Sequence, residues 1–333
     1  MVPYQSTPFD QTYKGLSDIV DDCHRLRYQD SRGNQRMDSN RPTSRLGILF
    51  YKYLAYFIKY FTRTRHSYLL KIKNRDILVK GKIRYSGAKL RLNIGDFVQY
   101  YIFMDGAYEP EWLDFIAPLS ENKVFFDVGA NVGNYALSLH TRAKMIYAFE
   151  PSEGNMAYLR ENIASNKIEN IETVRKAVSS EDGKRVKIYF SPDAGGSNSL
   201  YDKFDGRHEI VETVTLDTFC RTRNIEQVDI IKMDVEGAEF DALIGAEKTL
   251  KRFHPLLLVE FCSTNAEAAG YRLKEQYLFI MNLGYSAYLL YKGKLKATGP
   301  DTLDIPGYYQ DNLIFIPDNI LSGLRDDIFS IEG

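Results

Sequence analysis

The sequence predicts an α/β fold, Rossmann-like, with a seven-stranded mostly parallel sheet and helices on both faces, plus an N-terminal helical and β extension. Two observations carry this. From Val124 onward, apolar runs of strand length alternate with helical stretches. Within that region, Val124-Phe-Phe-Asp-Val-Gly-Ala-Asn-Val-Gly-Asn134 is followed by Tyr147-Ala-Phe-Glu-Pro151. An apolar run ends in Asp127, turns through Gly129 and Gly133 into a helix, and a second run ends in Glu150, 21 positions after Gly129. That is the layout of a nucleotide-binding β-α-β unit. Its glycines let the backbone approach a ligand, and an acid at the next strand tip can hold both ribose hydroxyls.

The strands are expected at 124–128, 145–149, 171–175, 228–233 and 256–260, with a hairpin-like final pair at 286–291 and 311–316. Helices are expected at 133–142, 152–165, 237–251 and 265–282. Three regions follow from the composition along the chain. Residues 1–44 form a polar, weakly ordered leader with a short helix near 13–27. Residues 45–95 are basic and aromatic, and 96–333 hold the α/β domain. Leu46–Phe61 reads as an aromatic helix with Lys52 and Lys59 on one face. It is shorter than the roughly 20 clean apolar residues of a membrane span. Packing on the α/β domain, contact with a membrane interface through Arg45, Arg63 and Arg65, and a span all stay open. In 67–94, Lys80, Lys82 and Arg84 alternate with Val79, Gly81 and Ile83, and Lys89 and Arg91 with Leu90 and Leu92. Period two places these cations on one face of a small antiparallel sheet, either simply solvated or facing an anion.

Charge is near balance at −1 but unevenly distributed. Residues 41–91 carry fourteen Lys or Arg against the single acid Asp76, so the rest of the chain is at −14. Such a block faces an anionic partner, a membrane surface included, or an acidic surface of its own chain. Cys23, Cys220 and Cys262 form no C-x-x-C pair, which suits a reducing compartment. None of the five histidines has metal-ligand spacing. Met1 to Gln11 lacks an apolar signal core. A cytoplasmic protein is expected, with peripheral contact at the membrane inner face through 45–91 as an added expectation.

The glycine turn also specifies its nucleotide. A dinucleotide site wants G-x-G-x-x-G under a pyrophosphate, whereas here Asn131 replaces the middle glycine and Asp127 precedes the turn. That carboxylate repels a pyrophosphate and attracts the amino and sulfonium groups of S-adenosylmethionine. The expected sheet is therefore that of a class I methyltransferase, and a NAD-dependent dehydrogenase is disfavoured. A third cluster, Val228-Asp-Ile-Ile-Lys-Met-Asp-Val-Glu-Gly-Ala-Glu239, ends a strand at Asp234 and turns at Gly237. Strand C-termini line the ligand crevice of a doubly wound sheet, so Asp127, Glu150, Asp234 and Glu260 should converge there. Two can serve the cofactor; the others remain for a general base or a divalent ion. Glu236 and Glu239 also stand where they favour the next helix N-terminus by roughly 0.3–1 kcal/mol. Lys232 reads as the structural partner of an acid. Base methylation of nucleic acid is disfavoured, because no Asn/Asp-Pro-Pro-aromatic tetrad follows Asp234. The polar loop Ser191–Ser199 is a candidate cover for a hydroxyl-rich acceptor.

Phe126-Asp-Val-Gly-Ala-Asn-Val-Gly133, Phe149-Glu-Pro-Ser152, Val214-Thr-Leu-Asp-Thr-Phe219 and Ile231-Lys-Met-Asp-Val-Glu-Gly-Ala-Glu239 occur in this order. Together they resemble the FkbM-type methyltransferases. The resemblance includes a lead-in, Gly95-Asp-Phe97 with Gly106-Ala-Tyr-Glu-Pro110, and the closing Asn312-Leu-Ile-Phe-Ile-Pro317. It implies a class I S-adenosylmethionine-dependent enzyme acting mostly on hydroxyl oxygens, of sugars in glycans or of polyketides. By the same resemblance, Asp127, Gly129, Ala130, Asn131 and Gly133 line the methionine part of the cofactor. Glu150 holds the ribose, Pro151 and Ser152 close the adenine side, and Ala177 lies near the ring. Asp234, shared with the cofactor shell, and Glu236 face the transferred methyl group. Asp234 with Glu260 resembles the acid pair that holds Mg2+ in some small-molecule O-methyltransferases. The expected activity is O-methylation of a sugar hydroxyl on a glycan or glycolipid, with Asp234 as first choice for base and Glu236 as second. A soluble natural-product acceptor and a cofactor-binding adaptor without catalysis are the alternatives.

Overall fold

A computed structural model describes residues 54–55, 76–190, 207–303 and 309–321. The chain divides into two compact units, 1–43 and 44–333, and every described residue lies in the second. The expected leader and its helix near 13–27, the loop 191–199 and strand positions 67–75 fall outside the described residues. Of the helix expected at 46–61, Leu54 and Ala55 are described; both are helical and Ala55 is fully buried.

All seven expected strands form one sheet. They are β3 (Val124–Val128), β4 (Met145–Phe149), β5 (Ile171–Val174), β9 (Ile230–Met233), β10 (Leu256–Cys262), β11 (Tyr285–Tyr291) and β13 (Gln310–Pro317). An eighth, β12 (Lys294–Ala297), extends the edge, and the order is β12-β11-β13-β10-β9-β3-β4-β5. The five strands from β10 to β5 run parallel, and β13 is antiparallel to both β10 and β11. This is the mostly parallel, doubly wound sheet of a class I methyltransferase. Alternation along the strands separates two cores. Phe125, Ile146, Ala148, Ile230 and Leu258 face one helix layer, while Phe126, Phe149, Ile231, Leu257 and Val259 face the other.

Three details differ from expectation. The helix expected at 237–251 is two helices, Glu239–Ile244 and Glu247–Phe253, interrupted at Gly245, where any side chain would land on the Ser179 carbonyl. The helix expected at 265–282 is likewise split into Ser263–Ala269 and Leu273–Met281 by Gly270, whose φ is 81°. A small second sheet, β6 (Ala177–Val178), β8 (His208–Val214) and β7 (Arg185–Tyr189), adds to the expected elements. Its strands are short or largely exposed, so they carry too little apolar patterning to be seen.

Upstream, β1 (Leu78–Lys82) pairs antiparallel with β2 (Lys89–Asn93), placing Lys80 opposite Arg91 and Lys82 opposite Lys89. Those cations are exposed, while Val79, Leu90 and Leu92 join the core of the α/β domain. The outer edge of β2 is satisfied by amides. Asn166 exchanges hydrogen bonds with the Lys89 backbone and Asn162 with that of Arg91, Asn162 from helix Glu153–Ser165 and Asn166 from the cap at its C-terminus.

Candidate active site

The turn after β3 needs left-handed backbone at Gly129 (φ 80°), Asn131 (φ 52°) and Gly133 (φ 94°). At Gly129 a side chain would strike the Asp234 carbonyl, because the tips of β3 and β9 meet there. Asn131 takes the conformation that a glycine would hold in a dinucleotide fingerprint, which asparagine tolerates better than most residues. The Asn131 and Ser152 backbone N–H groups each donate to a different oxygen of Glu150, both at 2.9 Å. Glu150 thus ties the glycine turn to the helix start beyond β4, and burial pushes its carboxyl up to about 7. Asp127 lies inside β3, fully buried. Its Oδ2 accepts from the Ala136 N–H at 3.0 Å, while Oδ1 has no hydrogen-bond partner among the described residues. Burial raises Asp127 to about 6, opposed by the nearby Lys232.

Lys232 is the buried cation of this cleft. Its Nζ donates to the Gly129 carbonyl at 3.2 Å and to Asp234 Oδ2 at 3.1 Å, and lies 5.4 Å from the centre of the Tyr135 ring. Burial alone would lower its pKa, but Asp234, Asp127 and Glu109 outweigh it and hold the ammonium above its ordinary range. The structural role expected of Lys232 is therefore that of partner to Asp234. Asp234 itself stays one quarter exposed at the tip of β9.

The next turn is held by Glu239. Its carboxylate accepts from Val235 N at 2.7 Å, from Gly237 N at 2.9 Å and 3.2 Å, and from the Tyr271 hydroxyl at 3.3 Å. Burial raises it to about 7. This clamp allows the consecutive positive φ values of Glu236 (55°) and Gly237 (108°) and leaves Glu236 partly exposed. Asn265 Nδ2 bridges Glu236 at 3.1 Å and Glu260 at 3.4 Å, and Gln310 Nε2 donates to Glu260 at 2.9 Å. Burial, then the charges of Asp234, Glu236 and Glu239, push Glu260 well above the usual carboxylate range.

Asp234, Glu239 and Glu260 each offer an oxygen within 4.8 Å of the others, a spacing open to a divalent ion. Their other commitments fit poorly with a resident Mg2+. Glu239 is occupied by backbone N–H groups, Glu260 by two side-chain amides, and the Lys232 ammonium already bonds Asp234.

The structure thus gathers Asp127, Glu150, Asp234, Glu236 and Glu260 around the strand tips and Lys232. Ser152 is buried beside Glu150 and Pro151 is half-buried. Ala177 sits in β6, buried in a small cluster with Ile188 and Val211. Sequence reasoning assigned no role to Glu109 or Tyr135. Glu109 accepts from the Tyr135 hydroxyl and from Asn312 Nδ2, both at 2.9 Å. The motif Gly106-Ala-Tyr-Glu-Pro110 was the signal that could have found Glu109.

The residues fit S-adenosylmethionine. Asp127 Oδ1 is a buried acceptor in want of a donor, and Asp234 and Glu236 stay partly exposed in the same acidic cleft. Fold and site together define a class I methyltransferase.

Residues 127–287 match the methyltransferase FkbM domain model. The chain is 32% identical over 151 residues to the 2-O-methyltransferase NoeI of Sinorhizobium fredii, covering 39% of this chain and 59% of that one. It is 28% identical over 131 residues to the hexuronic acid methyltransferase AglP of Haloferax volcanii, covering 39% and 53%. With the 31-O-demethyl-FK506 methyltransferase FkbM of Streptomyces tacrolimicus it shares 27% over 206 residues, covering 52% and 77%. The matched region is a methyltransferase FkbM domain and the chain is a methyltransferase; such a domain implies S-adenosylmethionine as methyl donor.

Proposed function

We propose that this protein transfers a methyl group to a hydroxyl oxygen of a sugar, on a glycan or glycolipid. The observation that carries the reading is Asp234, a partly exposed carboxylate at the tip of β9, held by Lys232 and adjacent to the glycine turn. S-adenosylmethionine, when bound, supplies an electrophilic methyl carbon on a sulfonium. Asp127 would hold its amino group through the unpartnered Oδ1, with Gly129, Ala130, Asn131 and Gly133 allowing close approach. Glu150 would take the ribose, and Pro151, Ser152 and Ala177 would border the adenine side.

An alcohol is a weak nucleophile near neutral pH, so its proton must leave as the oxygen attacks. Asp234 accepts that proton in this reading. Its bond to Lys232 fixes its orientation, so the acceptor oxygen can be aligned with the methyl carbon. Glu236, held by Asn265, is the second choice, and Glu260 braces the wall behind both. The sugar assignment is supported by a relative that acts on a hexuronic acid, and oxygen as the acceptor atom by a relative that is a 2-O-methyltransferase. A polyketide hydroxyl is the other reading, since the FkbM relative of Streptomyces tacrolimicus acts on 31-O-demethyl-FK506. The exposed cations of β1 and β2 support contact with an anionic membrane that carries the acceptor.

The test is Asp234→Asn. It is expected to bind S-adenosylhomocysteine like the wild type while losing about 10²–10⁴-fold in turnover. A parallel loss of affinity would move Asp234 into the cofactor shell alone. Chelator is expected to leave wild-type turnover unchanged.

A further inference from the structure

The segment Gly106–Pro110 has no role in the chemistry above, yet it is fixed at the cleft from several sides. Gly106 (φ 81°) ends helix Phe97–Asp105 and accepts at its carbonyl from the Arg84 N–H at 2.9 Å. Asn134, the first residue of the helix after the glycine turn, clamps the Tyr108 backbone in both directions. Its Oδ1 accepts from Tyr108 N at 2.9 Å and its Nδ2 donates to Tyr108 O at 2.8 Å.

Glu109 then adopts φ 52°, ψ 54°, a conformation that L residues avoid and that concentrates at functional sites. Its side chain does not cap helix Pro110–Leu119, which it precedes. It turns instead to Tyr135 and Asn312. Those two donors fill only part of the roughly four acceptor sites of a carboxylate, and Glu109 is partly exposed. The Tyr135 ring carries Lys232 on its face, and Lys232 bonds Asp234. Glu109 therefore stands one side chain away from the Lys232–Asp234 pair.

Tyr108 continues the wall. Its ring meets those of Phe97 and Tyr101, with centroids at 6.1 Å and 6.3 Å, and Phe97 remains 37% exposed. Tyr108 directly precedes Glu109, whose side chain reaches Tyr135 and Asn312, so the aromatic shelf borders the acidic mouth.

We propose that Gly106–Pro110 is the acceptor-recognition strap and that it takes a neutral, polyhydroxylated ring. Glu109 accepts a hydrogen bond from a hydroxyl beside the one that is methylated. Tyr108 and Phe97 cover an apolar face of the ring. A ring bearing its own carboxylate is disfavoured, because several acids border the mouth and Lys232 is already shared among them. This assignment rests on the O-methyl transfer reading, but its test does not require turnover.

With S-adenosylhomocysteine saturating, wild-type protein is titrated calorimetrically with p-nitrophenyl β-glucoside and p-nitrophenyl β-glucuronide. The glucoside is expected to bind at least about tenfold more tightly, as is usual for one lost or repelled charged hydrogen bond. Glu109→Gln is expected to weaken glucoside binding by about tenfold, with S-adenosylhomocysteine affinity and thermal midpoint unchanged. Tyr108→Ala is expected to weaken it too, and carries the test if Glu109→Gln does not fold. Unchanged glucoside binding in both variants overturns the proposal, as does equal or tighter glucuronide binding, or no binding of either probe. A Glu109→Gln loss confined to cofactor affinity and thermal midpoint also overturns it, since Glu109 is then only a counter-charge for Lys232. Strap-dependent glucoside binding, with no glycoside ever methylated, leaves the strap standing and removes the O-methyl reading.

Discussion

Asp127 and Glu150 sit at neighbouring strand tips and are held differently. Glu150 already accepts two backbone N–H groups, whereas Asp127 keeps one buried oxygen free. Asp127→Ala and Glu150→Ala are each expected to weaken S-adenosylhomocysteine binding at least about 100-fold by calorimetry, by removing a charge-assisted hydrogen bond and, for Glu150, the shape of the turn. Burial raises Asp127 to about 6 and Glu150 and Glu239 to about 7, so the folded protein holds these protons more tightly than the unfolded chain. The resulting stabilisation is full below the ordinary carboxylate pKa and is lost as pH rises through about 6 to 7. The thermal midpoint of the cofactor-free protein should therefore fall between about pH 5 and about pH 8. The midpoint gain on adding S-adenosylmethionine should grow over the same window, because the cation meets ionised acids. A flat profile for both would contradict the assigned burial. At this scale Asp127, Glu150 and Asp234 were legible because each ends an apolar run next to a turn. Glu109 was not: its partner Asn312 lies 203 positions away, and only the folded sheet brings them together.

The elements show how close approach sets residue identity. The tips of β3 and β9 touch at Gly129, so Gly129→Ala is expected to lower the thermal midpoint and abolish cofactor binding, through both the Asp234 carbonyl and the positive φ. Lys232 is the cation shared by β3, β9 and the strap. Lys232→Met leaves buried acids uncompensated and is expected to destabilise the fold by about 3–5 kcal/mol in denaturant titration. A change below about 1 kcal/mol would mean those acids are neutral in the fold. Seven of the eight main-sheet strands were legible from apolar runs alone. The two broken helices were not, because the close approach that requires glycine at Gly245 comes from Ser179, a distant residue in sequence, and Gly270 gives only a weak local signal.

At the scale of the molecule, period and order of strands were enough to read the main sheet, because its central strands β10, β9 and β3 are buried on both faces and written as nearly continuous apolar runs. The small sheet of β6, β7 and β8 was hidden because most of its residues meet solvent. Among the described residues no helix is long and apolar enough to cross a membrane. The basic hairpin nevertheless sets Lys82 directly opposite Lys89, a repulsion that sheets usually avoid. Co-sedimentation with vesicles containing phosphatidylserine is expected to fall when Lys82 and Lys89 are both changed to Gln and when salt is raised.

The most direct measurement incubates wild type and Asp234→Asn with S-adenosylmethionine carrying a deuterated methyl group and a panel of neutral glycosides, with the products read by mass spectrometry and NMR. The predicted result is label on an ether oxygen with the wild type and almost none with Asp234→Asn, while both bind S-adenosylhomocysteine equally. Label on nitrogen or carbon, or equal turnover by both proteins, would contradict hydroxyl methylation with Asp234 as the base.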